Sequence, residues 1–290
     1  MTQSENQPAD PATVAAQDSG AGALPAADGQ AKPKKDDGFF ASMAWLILAV
    51  VVLRSFIISP FSIPSESMLP RLLVGDYLFA SKWSYGFSKY SLPFSIPLIP
   101  GRILAHQPAR GDIVIFKAPP SNDVDWVKRV IGLPGDQIQM KGGQLFINGK
   151  SVPKVKTDDF VVPESPNTHC YSPEFESVDD KGLPVCRYPQ FRETLPEGKS
   201  YNVLDLGQIP RDDTAVYVVP EGALFLMGDN RDNSLDSRYS TDEGGISFVP
   251  QGNLVGKASV MMFSTDGSAS WIKPWTWFTA ARWSRIGGMF

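Results

Sequence analysis

Histidine is almost missing from this chain: 290 residues hold two, His106 and His169. Cysteine is as scarce, with Cys170 and Cys186 alone. A zinc centre draws on several such ligands at short spacings, so no metal site is expected, and no cofactor. There is no long basic run, and a net charge of −4 with a pI near 5.3 gives no support to a nucleic-acid partner. The first 37 residues contain no aromatic residue and are rich in Ala, Pro, Gln, Asp and Gly. Such a stretch buries too little apolar surface to offset chain entropy, so 1–37 is expected as a disordered tail. Only one apolar run of membrane length exists, which leaves room for a single span. The shortage of histidine also bears on catalysis, because a serine hydrolase built on this chain has almost no imidazole to use as its base.

What is present begins with that run, Phe39 to Ile58, inside an expected transmembrane anchor over 38–59. Arg54 stands near one end, where its side chain can snorkel to the headgroups. Ala44 to Leu53 has no polar face, unlike a core helix, and Ile57-Ile58-Ser59-Pro60-Phe61 is a poor cleavage site for a secretory leader. Lys32, Lys34 and Lys35 precede the span, so the positive-inside bias places the N-terminus in the cytoplasm and the remainder outside. In that setting a disulfide between Cys170 and Cys186 is the natural reading; two unpaired thiols are the alternative, and two cysteines alone do not decide.

With 25 prolines, 25 glycines and short apolar segments between them, the rest reads as mainly β. Asp112–Lys117, Gln137–Met140, Gln144–Ile147, Ala215–Val219, Ala223–Met227 and Leu254–Phe263 are the expected strands. Gly142-Gly143 and Asn148-Gly149 mark hairpin turns. A polar, proline-rich stretch from about 157 to 211 reads as a loop-rich insertion within a 60–290 domain rather than as core.

Three segments carry chemistry. Ile63-Pro64-Ser65-Glu66-Ser67-Met68-Leu69-Pro70 sets two serines between stiffening prolines. Ser67 is the better nucleophile, with Ser65 offering a hydroxyl beside the Ser67 backbone N–H to a developing oxyanion. Plain turn hydrogen bonds are the competing reading. Lys128 lies among Trp126, Val127 and Val130, whose bulk would lower its pKa from about 10.4 toward the 7–8 a base requires. An ordinary solvent-facing lysine is the alternative. Gly228 to Tyr239 is dense in acids, amides and arginines: Asp236 and Arg238 could pair, and Ser234 could face the lysine. A solvated turn or a calcium loop competes there, although the closing Glu of a calcium loop is lacking.

Together these segments resemble bacterial type I signal peptidase, the leader peptidases. Pro64 to Pro70 is similar to the nucleophile box, Gly75-Asp76-Tyr77 and Lys82-Trp83-Ser84-Tyr85-Gly86 to the next, and Lys128 to Asp136 to the general-base box. Gly228 to Arg238, Asn253-Leu254-Val255-Gly256 and Ser284 to Gly288 resemble the last boxes. Arg71 departs from the pattern, replacing a small hydroxyl residue. The resemblance implies an antiparallel β catalytic domain and a Ser/Lys endopeptidase that removes signal peptides after small-x-small sites. By the match Ser67 is nucleophile, Lys128 base, Ser65 oxyanion donor, Ser234 the orienting hydroxyl, and Asp236 with Arg238 a structural pair. Phe61, Ile63, Pro64, Met68, Leu72, Trp126 and Val127 flank nucleophile and base and are expected to wall shallow pockets for alanine. The implied partners are exported preproteins, membrane lipid and the secretion translocon; the implied place is the cytoplasmic membrane, with the catalytic domain on the extracytoplasmic side. Trp271, Trp275, Trp277 and Trp283 suit a membrane interface or a packed C-terminus equally. A specialised pilin- or conjugation-processing peptidase and an inactive tethered binding domain are the alternatives.

Overall fold

The computed structural model describes residues 37–270 and 272–290. The expected disorder of 1–37 lies outside these residues apart from Asp37, and so does Trp271. A helix over Asp37–Val52 runs into one π-turn, Leu53–Ile57. Gly38–Ile57, 20 residues with mean hydropathy 2.2, is long and apolar enough to cross a membrane. At Ile58 the backbone turns extended (φ −134°, ψ 146°) and a strand, Ile58–Ser62, begins at once. The apolar helix therefore ends at Ile57, two residues before the bound of 59 expected for the anchor. Pro60 lacks an N–H to donate, which suits a strand at the sheet's edge.

That strand opens a seven-stranded antiparallel sheet in the order Ile58–Ser62, Asp76–Ser81, Leu254–Ser264, Ile113–Lys117, Asp125–Gly132, Ala223–Met227, Val249–Pro250. Ile113 to Phe116 and all of Ala223–Met227 are buried, because the sheet is covered on both faces. Two-sided burial is why these strands read as unbroken apolar runs rather than alternating ones. The long strand Leu254–Ser264 slips register against both neighbours, and each bulge lets it bend around the core. Gln137–Lys141 and Gln144–Ile147 form the expected hairpin. The next turn has Asn148 at φ 52° and Gly149 at φ 76°, the left-handed pair a tight hairpin requires. The strand expected over Ala215–Val219 shortens to Tyr217–Val218.

The stretch 157–211 departs from the expected loops. It holds Phe160–Pro163, Glu176–Val178 and Pro184–Tyr188 in one three-stranded sheet. Gln190–Thr194 pairs with Lys154–Lys156 on one side and Ser200–Leu204 on the other in a second. Leu195, Tyr201 and Val203 join the core cluster of Ile131, Ile138, Phe225 and Met227, so the segment contributes to the core. Its apolar residues are spaced by polar ones, and the alternation that makes one-sided strands lowers its mean hydropathy. Cys170 and Cys186 are bridged, S–S 2.03 Å, beside Phe175 and Tyr188.

The same segment sends in Glu193, fully buried, whose carboxylate accepts from both terminal nitrogens of Arg231 (2.9 and 2.7 Å) and from Tyr201 Oη (3.0 Å). Removing one partner of a sealed pair leaves the other charge without compensation. Glu193→Gln is expected to cost about 3–5 kcal/mol in urea unfolding. Asp159→Asn, which breaks the exposed Lys156–Asp159 pair, should leave the midpoint nearly unmoved.

Candidate active site

Ile63 fixes the start of the serine segment by a two-way exchange: its N–H donates to the Asp76 carbonyl (2.8 Å), and its carbonyl accepts from Gly75 N–H (3.0 Å). A helical turn follows, with Leu69 N–H donating to Glu66 O (3.0 Å) and Leu72 N–H to Met68 O (2.9 Å). The turn drives Met68, Leu69 and Leu72 into the interior and leaves the serine hydroxyls on the open side. Ser65 Oγ lies 3.3 Å from Ser67 Oγ.

Lys128 comes from the strand Asp125–Gly132, where neighbouring side chains leave on opposite faces. Its ammonium donates to Ser67 Oγ at 2.6 Å and sits 5.5 Å from the centroid of Trp126. The residue is 3% exposed, and desolvation is the main reason its pKa falls from the ordinary 10.5 to about 8. Asp236 pulls that value up and Arg238 pushes it down. Arg129 leaves on the other face and binds Asp229 through Nε (2.7 Å) and a terminal nitrogen (2.6 Å), its guanidinium stacked over Tyr201. Neither histidine hydrogen-bonds to Ser67, whose hydroxyl meets Ser65 and Lys128.

The Gly228–Arg238 loop closes over this pair. Asn230 N–H donates to the Ser67 carbonyl (3.1 Å), and Asn230 Nδ2 to the Glu66 carbonyl (3.3 Å). Gly228 packs so closely that a Cβ there would lie 2.3 Å from Ser234 Oγ and 2.5 Å from the Ser67 carbonyl oxygen. Only glycine fits that gap. Asp236 accepts from Gly228 N–H (3.1 Å) and takes a two-pronged contact from Arg238 (both 2.9 Å), and both side chains are sealed from water. The guanidinium holds the Asp236 carboxyl below the usual range, against the opposing effect of its burial.

A cleft of about 630 Å³ opens beside the two serines. Phe61, Ile63, Pro64, Met68, Trp126 and Val127 line it, together with Ser65, Ser67 and Lys128. Leu72 does not: one turn beyond Met68, it is wholly buried among Leu78, Ile113 and Ile115. Ser234 is also not where it was expected to act. Its hydroxyl is buried beside Gly228 without a hydrogen-bond partner and makes no bond to Lys128. Four contributors escaped the sequence reading: Arg129, Asp229, Asn230 and Glu66. Glu66 is half-buried and accepts from Asn233 Nδ2 (3.2 Å). Strand alternation was the available signal for Arg129, since a residue beside an inward lysine must face the opposite side.

The family model described as "Signal peptidase, peptidase S26" matches residues 38–263. Signal peptidase I of Rickettsia typhi is 39% identical over 78% of this chain and 80% of its own length. Signal peptidase I of Rickettsia prowazekii matches with the same identity and coverage. A solved signal peptidase I from Enterococcus faecalis V583 is 24% identical, covering 53% of this chain and 98% of that one, with a TM-score of 0.27. That superposition is too loose to support any fold argument, and the fold stands on the strand pairings above. On the family match and the extent of the Rickettsia alignments, the chain belongs to the signal peptidases of the peptidase S26 family, serine endopeptidases that remove signal peptides from preproteins.

Proposed function

We propose that Ser67 and Lys128 carry out this cleavage as a nucleophile–base pair. The observation that supports it is the 2.6 Å contact between Lys128 Nζ and Ser67 Oγ inside a buried site. An amine with a pKa near 8 is neutral in an appreciable fraction of molecules near neutral pH. In that form it accepts the Ser67 proton as the hydroxyl oxygen attacks the scissile carbonyl. The Ser65 hydroxyl and the Ser67 backbone N–H are the donors assigned to the oxyanion of the tetrahedral intermediate. Lys128, now protonated, gives its proton to the departing amine and then activates the water that releases the acyl group. Asp236 and Arg238 hold the loop rather than move protons. Ser234 makes no orienting contact in this geometry, so the amine is held by Ser67 and by its apolar walls.

Bulky walls at Ile63, Met68, Phe61, Pro64, Trp126 and Val127 suit small side chains at two subsites, the basis for reading the substrate as small-x-small. The helix Gly38–Ile57 fits a single span, and we read it as an anchor in the cytoplasmic membrane with the catalytic domain on the extracytoplasmic side. The partners follow from that reading: exported preproteins, lipid, and the translocon that delivers them. Trp275, Trp283 and Phe278 are exposed and favour an interfacial C-terminal surface over a packed one.

Ser67→Ala and Lys128→Ala should each lower preprotein cleavage in detergent by about a thousandfold or more while preserving the far-UV circular dichroism. Retained turnover in Lys128→Ala would rule out the lysine base. The base works only when deprotonated, so kcat/KM should rise with pH through an apparent pKa near 8, well below an ordinary lysine. Ile63→Ala should admit residues larger than alanine beside the cleaved bond, read by the relative kcat/KM of substrate variants; an unchanged alanine preference would remove Ile63 from the pocket.

A further inference from the structure

The segment from Lys89 to Leu104 takes no part in the site, and its chemistry differs from the rest of the surface. It reads Lys-Tyr-Ser-Leu-Pro-Phe-Ser-Ile-Pro-Leu-Ile-Pro-Gly-Arg-Ile-Leu, without one acid, in a chain whose net charge is −4. Phe94 is 98% exposed, Leu98 75% and Leu104 71%, with Ile96 and Ile103 also exposed. Single exposed apolar side chains are ordinary; five within so short a stretch mark a contact surface.

The root of this loop is firmly held. Lys82, 5% exposed, donates from Nζ to the carbonyls of Ser91 (2.9 Å) and Tyr90 (3.4 Å). Arg102 donates to the carbonyls of Gly86 (2.9 Å), Tyr85 (3.3 Å) and Leu254 (2.5 Å). Ser88 and Ser91 cap the first turn, and Phe87–Ser88 pairs with Arg102–Ile103. Phe94 (φ 56°) within the loop and Leu104 (φ 51°) just past its closing strand take left-handed backbone that bulky residues seldom adopt. A loop pinned at its base by the buried Lys82 and the half-buried Arg102, with apolar side chains turned outward, is built to present them.

Its place in the fold indicates the partner. The Phe87 ring packs edge-on against Phe56, centroids 5.3 Å apart, and Lys82 N–H donates to the Ile57 carbonyl (3.1 Å). Phe56 and Ile57 are the last residues of the membrane-length helix. Trp83, exposed, stands beside this junction, a residue type favoured at lipid–water boundaries. The absence of acids removes any repulsion from anionic headgroups.

We propose that residues 92–104 form a lipid contact of their own, apart from the span and the C-terminal aromatic surface, entering the headgroup–acyl boundary of the same bilayer beside the end of the helix. This rests on reading Gly38–Ile57 as an anchor. The loop would act as an interfacial wedge, its burial depending on apolar area and adding to the hold of the span. It would also help fix the rotation of the catalytic domain about the anchor, since a contact beside the helix end resists turning about the helix axis.

The test uses the full chain in protein-free vesicles of phosphatidylethanolamine and phosphatidylglycerol. Leu98→Cys carries an environment-sensitive fluorophore, with Cys170 and Cys186 already bridged and unavailable to the label. Lys150→Cys, on the exposed Asn148-Gly149 hairpin, serves as the reference. The Leu98 label should emit at shorter wavelength, be quenched by acyl-chain spin labels and resist aqueous iodide, while the Lys150 label does the opposite. Vesicle flotation separates the two readings. Protein that floats with its Leu98 label as open to iodide as the Lys150 label overturns the wedge and leaves the anchor intact, including the case of a loop that serves a protein partner. Protein that does not float overturns the anchor and the wedge with it.

Discussion

Lys128 lies within range of two acids and is still given no counterion. Asp229 is taken by Arg129 and Asp236 by Arg238, each through two-pronged contacts sealed from water. Both carboxylates still pull the lysine's pKa upward, but with each held by an arginine that pull is outweighed by burial, and the value falls. Sealing charges in this way costs several kcal/mol per ion before the pairing offsets it, so these pairs are poor candidates for net stabilisers. What they supply is position and electrostatic neutrality. Asp236 accepts from Gly228 N–H, Arg231 Nε donates to that glycine's carbonyl (3.2 Å), and Asn230 N–H donates to the Ser67 carbonyl. The dryness of the amine, the fit of the loop and the placing of the serine are consequences of one charge arrangement.

That arrangement extends into the segment that looked least structural. Glu193 fixes Arg231, and Tyr201 lies both against the Arg129 guanidinium and in hydrogen-bond contact with Glu193. The strands of 190–204 thus brace the Gly228–Arg238 loop. A chain segment that appears as an insertion by composition serves as the loop's support.

Some of this was legible in the sequence for clear physical reasons. Ala223–Met227 and Ile113–Phe116 are continuous apolar runs because both faces are covered, and Asn148-Gly149 could hardly be other than a tight turn. Ser67 and Lys128 stood out because the shortage of histidine left few other bases, and the boxes around them are specific. The rest depends on contacts between distant parts of the chain. Nothing local to Glu193 announces a partner 38 residues away in Arg231. Leu72 resembles Met68 in character, and only the helical turn shows that one lines the cleft while the other joins the core. The Ser234 hydroxyl likewise matches the expected type but makes no hydrogen bond to the amine.

The passage from helix to strand at Ile58 has a mechanical meaning. No slack residue separates the last helical turn from a strand that is paired along its whole length with Asp76–Ser81. Five paired residues advance about 17 Å. With the helix read as an anchor, the segment bearing Ser67 would follow a stiff stalk rather than a slack tether. On that reading such a stalk would act as a ruler, favouring bonds at a set distance from the membrane as well as by the side chains around them.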